Sequence, residues 1–310
     1  MLLANITPYA DIDPLEEAEW IIEGLIQKGG VNFIAGAPKS HKSFLRKFLV
    51  ASALSGTTVF EQFPVRTKVK NVLTLIIEDR KAWERRTMDS MFDALGYVGS
   101  PPIGICKPFG FHLNNPAHMK QLIALVKREN YDLVTLDPLI EFHSANENES
   151  SEMNAVTGKL HELAQYTTVL VVHHSGKNLS KPGEQQKSVE DSLRGSSALG
   201  GAASVTVELQ RIGLSASHKL RVSAKEAESL DDIKLVLDIG DTWTWALDGP
   251  LVPGRLRSYI LGHPGLTTND LARRLGKRKD SIVAMLKELE TAGTVKKVDG
   301  SRQRREYFAI

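Results

Sequence analysis

A loop that could hold a phosphate group lies early in the chain, in the stretch GAPKSHKS at residues 36–43. It differs at one position from the pattern GxxxxGK[ST], in which backbone N–H groups wrap phosphates, the lysine reaches the β and γ oxygens, and the hydroxyl holds Mg²⁺. Lys42 and Ser43 supply the last two groups, so the pattern predicts nucleotide and Mg²⁺ binding. The predicted nucleotide-binding residues are Gly36, Ala37, Pro38, Lys39, Ser40, His41, Lys42, Ser43 and Phe44.

His41 stands where the pattern has its second glycine. A position that needs a positive φ strongly favours glycine, which has no Cβ. A non-glycine residue is tolerated there if its φ is negative, and its side chain can point away from the phosphates. The alternative is a glycine-proline turn with a surface lysine, which the apolar strand before the loop and the helix after it disfavour.

Three more polar segments follow short apolar runs. Glu78 follows the first run and Asp137 the second, while His173 and His174 end the third. Ligands of open parallel sheets bind outside the carboxyl ends of the strands, so these side chains should meet at the loop. Asp137 could hold Mg²⁺ and Glu78 could activate the attacking water, although each alone is also an ordinary turn or strand-end acid. The histidines fit a γ-phosphate sensor better than zinc, because no CxxC or HExxH motif accompanies them.

The apolar runs also predict the fold. The early runs, at 31–35, 72–77, 133–136 and 169–172, alternate with helical stretches such as 117–129 and 153–165. Continuously apolar strands that alternate with helices are typical of a parallel sheet covered on both faces. Later runs, at 204–209, 219–224, 233–239 and 242–247, should extend the sheet as antiparallel strands. The prediction is an α/β fold with a mainly parallel sheet.

A boundary is predicted near residue 250, where the sequence Asp-Gly-Pro interrupts the pattern. A chain of 310 residues favours a large domain, 1–250, and a small one, 251–310. The small domain holds 13 Lys and Arg against 6 Asp and Glu, a net charge of +7, whereas the large one holds 26 against 31, a net −5. Such asymmetry is typical of a nucleic-acid-binding module joined to a catalytic or scaffolding body.

The small domain is predicted to be a winged helix. Helices are predicted at 255–262, at 268–276 with Thr267 or Thr268 as N-cap, and at 279–293, followed by two strands about an Asp-Gly turn. The apolar face of the third helix is predicted to hold Ile282, Val283, Leu286 and Leu289. Its start and the wing carry the basic residues that could contact duplex DNA, namely Lys277, Arg278, Lys279, Arg302, Arg304 and Arg305. The alternative is a protein-binding winged helix with a solvated charged face.

Composition excludes several classes of protein. No apolar run approaches the roughly 20 residues that span a bilayer, and the N-terminus lacks the basic flank and apolar core of a secretory signal. Cys106 is the only cysteine, so a disulfide framework is excluded, and we expect it to pack in a strand. These features favour a cytoplasmic protein.

In their order along the chain, several segments resemble the RecA-superfamily ATPases related to the plasmid RepA replicative helicases. These segments are WIIEGLIQKGGVNFIAGAPKSHKS, IIEDR, DLVTLDPLIEFHSANENESSEMNAV, VLVVHHSGK and LRGSSAL. The resemblance covers roughly residues 18 to 240. It implies a RecA-like core that uses ATP and Mg²⁺, assembly into a homo-oligomer such as a hexameric ring, and hydrolysis linked to DNA in bacterial, plasmid or phage replication or recombination.

The resemblance also implies roles for individual residues. Lys42 and Ser43 become the phosphate and Mg²⁺ contacts, and Asp137 becomes the Walker B acid. Glu78 becomes the catalytic base, and His174 a switch between the nucleotide and a DNA-binding loop.

Two further features depend on the same resemblance. Related rings place a Lys and an Arg, two residues apart, on a late strand that reaches the neighbouring subunit's site. At the corresponding positions this chain has Lys225 and Ala227. The loop 178–192 corresponds to a segment that faces the pore, where lysines could meet single-stranded DNA, although it could also be a solvated polar loop. The lysines in question are Lys177, Lys181 and Lys187.

Three functions stay open at this stage. The first is a DNA-dependent ATPase, as a helicase or translocase. The second is a DNA-binding regulator gated by nucleotide. It is slightly favoured because Ala227 stands where related rings supply a second positive charge to the neighbouring subunit's site. The third is a recombination or annealing mediator without unwinding activity.

Overall fold

The structure is a computed structural model. It describes residues 7–11, 13, 17–175, 188, 189, 193, 197–213, 216–227, 229–239, 243–248, 256, 257, 259, 260, 264–275, 279–299 and 305–310. A short antiparallel hairpin, β1 Trp20–Ile22 and β2 Ile26–Gln27, lies outside the predicted runs. A nine-stranded sheet follows.

Parallel strands form the larger part of this sheet. They are β3 Val31–Gly36, β4 Val72–Ile76, β5 Ile103–Cys106, β6 Leu133–Asp137, β7 Thr168–His174 and β8 Val205–Arg211. Their spatial order is β5-β4-β6-β7-β3-β8, and each neighbouring pair is parallel. The central strands are buried on both faces, which explains why they read as continuously apolar.

Helices connect these strands and cover both faces of the sheet. They are α1 Lys42–Ser55, α2 Lys81–Leu95, α3 Pro116–Glu129, α4 Ser150–Ala164 and α5 Ser197–Ala202. Successive side chains of a strand point to opposite faces, so Ile34 packs with α1 and α2 whereas Phe33 packs with α3 and α4. The sheet is therefore held between two separate apolar clusters.

The sheet ends in antiparallel strands, β9 Ser217–Ala224, β10 Leu230–Ile239 and β11 Trp243–Leu247. The prediction that all four late runs are antiparallel is wrong for the first of them, because β8 pairs with β3 in parallel. A parallel neighbour needs a crossover of a dozen or more residues. Residues 175–204 supply that length between β7 and β8.

A smaller unit follows at the C-terminus. It contains β12 Leu266–Thr267, α6 Thr268–Arg274, α7 Lys279–Thr291, β13 Val295–Asp299 and β14 Arg305–Ala309, with the strands in the order β12-β14-β13. Thr267 caps α6, since its Oγ1 accepts from Asp270 N at 3.2 Å while its own N donates to the Asp270 carboxylate at 3.1 Å.

The core of this unit is a separate apolar cluster. Its buried members are Leu256, Ile260, Leu271, Ile282, Leu286, Leu289, Val295 and Tyr307. Val283 was expected on the same helix face but is 47% exposed. Its position next to Ile282 turns it about 100° around the helix, away from the core.

The predicted fold class, an α/β core with a mainly parallel sheet and a C-terminal winged helix, is confirmed. Cys106 lies half-buried at the end of β5, as expected for a strand residue. Among the helices that the structure describes, none is long and apolar enough to cross a membrane.

Candidate nucleotide-binding site

The polar strand ends predicted from the sequence lie side by side at one edge of the sheet. β3 ends at Gly36 beside His174 of β7, and β4 ends at Ile76 beside Asp137 of β6. Ser175 N donates to the Gly36 carbonyl at 2.9 Å, which bonds the end of β7 to the first residue of the loop. Because β6 and β7 also pair, the four strand ends form one continuous row.

The loop between β3 and α1 is tightly packed at its base. A Cβ on Gly36 would lie 2.5 Å from the Leu209 carbonyl oxygen and 2.6 Å from Ser40 Oγ, so the position has room only for glycine. Within the described residues, the buried Ser40 hydroxyl has no hydrogen-bond partner. Residues 37–39 are exposed. Exposed backbone together with an unsatisfied hydroxyl suits phosphate oxygens.

His41 keeps the backbone shape that glycine usually supplies. Its φ is 67° and its ψ 25°, so the condition of a negative φ is not met. Lys39, two residues earlier, has a φ of 63°. Left-handed residues of this kind turn successive N–H groups toward one anion, but each costs a non-glycine residue about 1–2 kcal/mol. That cost must be offset elsewhere.

The offset comes from a partner on β9. His41 Nδ1 lies 3.0 Å from His218 Nε2, and His218 Nδ1 lies 2.7 Å from the Ala216 carbonyl oxygen. A carbonyl only accepts, so His218 donates from Nδ1 and receives the hydrogen of His41 at Nε2. The Trp245 ring packs edge-on against His218, with ring centroids 4.7 Å apart. The imidazole of His41 is thereby directed toward β9.

Both histidines of this pair favour the neutral form. Burial lowers the pKa of His41, and the charge of Arg211 lowers it further. Burial lowers the pKa of His218 to about 4, with the hydrogen bond to Ala216 opposing the shift and the charges of His41 and Arg211 adding to it. The neutral pair is therefore the form that holds the loop near neutral pH.

Lys42 and Ser43 begin α1 and face the end of β6. Ser43 Oγ donates to Asp137 Oδ1 at 3.2 Å, and Lys42 Nζ donates to the Ala37 carbonyl at 2.8 Å. Burial lowers the pKa of Lys42 to about 8, although the carboxylates of Asp137 and Glu78 oppose the shift. The lysine thus lies across the loop beside two acids.

The oxygens of Ser43 and Asp137 fit the predicted metal. Mg²⁺ binds oxygen ligands, keeps several waters and uses one or two carboxylates. Within the described ranges, no group of three or more His, Cys, Asp or Glu side chains is arranged to hold a metal ion. A serine hydroxyl 3.2 Å from one carboxylate is therefore the kind of partial ligand set that suits Mg²⁺ and not zinc.

Glu78 lies two residues beyond β4, at the same edge. Partial burial raises the pKa of Glu78, and the carboxylates of Asp137 and Glu141 raise it further, whereas Lys42 opposes the shift. A carboxylate whose pKa is raised toward neutrality is better suited to accept a proton.

The structure does not bring every predicted residue to this edge. His173 is buried, with Nδ1 3.9 Å from Glu147 Oε1. Lys225 follows the last residue of β9, at the opposite edge of the sheet, where its Nζ donates to the Gly201 carbonyl at 2.8 Å. Lys279 is exposed as the first residue of α7.

Several predicted nucleic-acid contacts lie outside the described residues. These are Lys177, Lys181, Lys187, Lys277, Arg278, Arg302 and Arg304. Arg305 begins β14, and its side chain is likewise outside the description.

Two side chains beside the site, Arg46 and His218, were not predicted from the sequence. Arg46 Nε donates to Asp137 Oδ2 at 2.8 Å, and Arg46 Nη2 donates to Glu84 Oε1 at 2.5 Å. The signal for Arg46 was available, because it interrupts the apolar stripe of α1 together with Lys47. His218 gives no such signal, because it lies in a strand whose sequence simply alternates between polar and apolar residues.

Phe44 belongs to an aromatic cluster. Its ring centroid lies 4.9 Å from that of Trp243 on β11, which in turn lies 5.4 Å from that of Trp83 on α2. The cluster joins the first turn of α1 to the last strand of the sheet.

Comparison with known proteins identifies two matches along the chain. Residues 7–180 match the family profile described as AAA domain, and residues 258–306 match the profile of the MarR family. No curated protein is significantly similar to the chain. Among solved structures, the chain is similar to a KaiC-like protein from the hyperthermophilic archaeon Pyrococcus horikoshii OT3, with 15% identity and a TM-score of 0.45. That match covers 74% of this chain and 94% of the other.

Replacing Gly36→Ala should weaken nucleotide binding. The new Cβ must displace Ser40 or the β8 backbone, and overpacking of this kind costs about 1–3 kcal/mol, so the Kd of a fluorescent ADP analogue should rise roughly tenfold. Gly158→Ala on α4 is the matched control, since nothing lies within 4 Å of its added Cβ. Equal affinity in the two variants would contradict the packing argument.

The histidine pair should make stability depend on pH. His218 stays neutral in the folded protein down to about pH 4, whereas an unfolded histidine binds a proton near pH 6.5. Its contribution is complete above pH 6.5 and is lost as the pH falls toward 4.

Urea unfolding at pH 7 and pH 4.5 measures this effect. We expect the free energy of unfolding of the wild type to fall between these pH values by on the order of 1–2 kcal/mol more than that of His218→Gln. His161→Gln, an exposed histidine on α4, controls for loss of an imidazole. The same pH dependence in the wild type and in His218→Gln would show that the pair is not responsible.

Proposed function

We propose that this chain, which belongs to the AAA-domain family, is a DNA-associated ATPase. In this proposal it is an oligomeric RepA-like helicase or translocase that couples ATP hydrolysis to single-stranded DNA in replication or recombination. The observation that carries the proposal is the row of strand ends, with Ser43 Oγ 3.2 Å from Asp137 Oδ1 beside the phosphate loop.

Each side chain at this edge has a role in the proposed reaction. The amides of residues 37–42 and the ammonium of Lys42 bind the phosphates. Ser43 and Asp137 would hold Mg²⁺, which would neutralise charge on the phosphate oxygens. Glu78 orients the attacking water and accepts its proton.

We propose that His174 senses the γ-phosphate. It lies next to Gly36 across the β3–β7 pair and is followed by Ser175, whose N–H donates to the Gly36 carbonyl. This hydrogen bond connects the first residue of the loop to the end of β7. We propose that His174 transmits a change at the phosphate loop toward the loop 178–192, whose lysines would meet single-stranded DNA.

Lys225 supports an oligomer in this proposal. It follows the end of β9 opposite to His218, the residue that contacts the phosphate loop, so it lies away from the loop of its own molecule. It would contribute charge only to the site of a neighbouring copy, as expected for a ring. Because residue 227 is alanine, only Lys225 would supply positive charge to the neighbouring copy's site, and we propose slow turnover.

The division of the chain is part of the same proposal. We assign residues 1–250 to the ATPase domain and 251–310 to the winged helix. The separate apolar cluster around Leu286 supports this division.

A lysine variant tests the ATPase. We expect phosphate release from ATP to rise with single-stranded DNA in the wild type and to fall about 100-fold in Lys42→Ala, because a fixed charge at the phosphates is lost. Lys120→Ala, an exposed lysine of α3, should behave like the wild type. No turnover in the wild type with DNA and Mg²⁺ present would refute the proposal.

The MarR-family match favours a second candidate, a DNA-binding regulator whose assembly depends on nucleotide. Recombination mediation without unwinding is a related outcome, and a strand-displacement assay separates both from a helicase. Tight, sequence-specific duplex binding without strand displacement would favour the regulator.

Duplex binding by the full chain should depend on the start of α7. Lys279→Ala should weaken binding to all sequences about equally, and it should reduce the slope of log affinity against log salt by about 1 if the lysine contacts a phosphate. Lys287→Ala, exposed two turns later on the same helix, is the matched control. Equal slopes for both variants would exclude this contact.

A further inference from the structure

A network of buried charges lies behind the candidate Mg²⁺ ligands. Arg46, Lys47 and Glu84 each have a fully buried side chain, and Asp137 is 7% exposed. Burying ions is costly unless each has partners of opposite charge. Here Glu84 bonds Arg46 at 2.5 Å and Lys47 at 2.9 Å, so α1 and α2 are joined by ions where apolar side chains would otherwise pack.

Arg46 bridges two carboxylates within this network. Its Nε donates to Asp137 Oδ2 at 2.8 Å and its Nη2 to Glu84 Oε1 at 2.5 Å. The other oxygen of Asp137, Oδ1, accepts from Ser43 at 3.2 Å. Ser43 and Arg46 are three residues apart and so share a face of α1. One helix therefore fixes both oxygens of the same carboxylate.

The network also reaches the segment of the candidate base. Lys47 Nζ lies 3.2 Å from Asp79 Oδ2, and Asp79 follows Glu78 directly. Asp137 at the end of β6 and Asp79 beyond β4 are thus connected through Arg46 and Lys47 of α1 and Glu84 of α2.

We propose that Arg46 is a positioning residue for the metal, an inference that rests on the ATPase function proposed above. By holding Oδ2, the guanidinium fixes the rotation of the Asp137 carboxylate and keeps Oδ1 directed at Ser43, where the cation binds. Glu84 anchors the guanidinium in turn. Side chains that orient metal-binding carboxylates commonly affect metal affinity by about 10- to 100-fold.

Stability alone does not account for an arginine here. A buried ion pair can often be replaced by apolar residues of similar volume with little loss of stability. A guanidinium differs from an ammonium in presenting its donors as a rigid fork, and the two bonds of Arg46 run to two different elements. The geometry matches orientation of a carboxylate better than core packing.

Equilibrium binding of the fluorescent nucleotide mant-ADP, titrated with Mg²⁺, tests the proposal without requiring turnover. The main variant is Arg46→Met with Glu84→Met, which removes the pair together and leaves Lys47 with Asp79. We expect it to fold, to bind mant-ADP without metal as the wild type does, and to need about 10- to 100-fold more Mg²⁺ for half-maximal tightening. Metal-free affinity should persist because Lys42 and the loop amides are intact.

Arg46→Lys is the second variant and keeps the charge. An ammonium cannot hold both carboxylates with the same fork, so we expect a smaller shift in the same direction, and this variant decides the matter if the double variant does not fold. Unchanged Mg²⁺ dependence in a folded variant would overturn the positioning role. An equal loss of metal-free affinity would overturn it too, because the loop itself would then have changed. Failure of the wild type to bind mant-ADP at all would overturn the proposed function as well.

Discussion

The carboxylate of Asp137 is the interaction on which the site depends. It ends β6, accepts the Ser43 hydroxyl on one oxygen and the Arg46 guanidinium on the other, and so ties the central sheet to the first helix. The loop has other contacts with the sheet, to β7 through Gly36 and to β9 through His41, but this one joins the first turn of α1 to the end of β6. The burial of α1, the charged contacts to α2 and the orientation of the loop are all consistent with this one anchor.

A second constraint is the backbone at His41. Glycine would reach the left-handed conformation without cost, whereas this chain offsets the cost through a histidine on β9. The loop is consequently coupled to the antiparallel extension of the sheet, which sequences with glycine at this position would not need. At position 41 the chain therefore has a histidine supported by a distant contact in place of a glycine, which would adopt the same backbone conformation freely.

Much of the fold could be predicted because its signals are local. The loop motif and the apolar runs of β3, β4, β6 and β7 each depend on a few consecutive residues. The parallel direction of β8 could not be predicted from its own residues, because it depends on pairing with β3, a strand far earlier in the chain. The partners of His41 and Arg46 stand 177 and 91 residues away, so their pairing has no local trace. Val283 was misplaced because a hydrophobic side chain alone does not tell which side of a helix is covered.

The ring contact between Phe44 and Trp243 has a spectroscopic consequence. The ring centroid of Trp243 on β11 lies 4.9 Å from that of Phe44, which follows Ser43, and a second indole, Trp83, lies against Trp243. Their emission responds to the polarity and motion of neighbouring groups. The chain therefore carries an intrinsic optical reporter of the first turn of α1, with no dye attached.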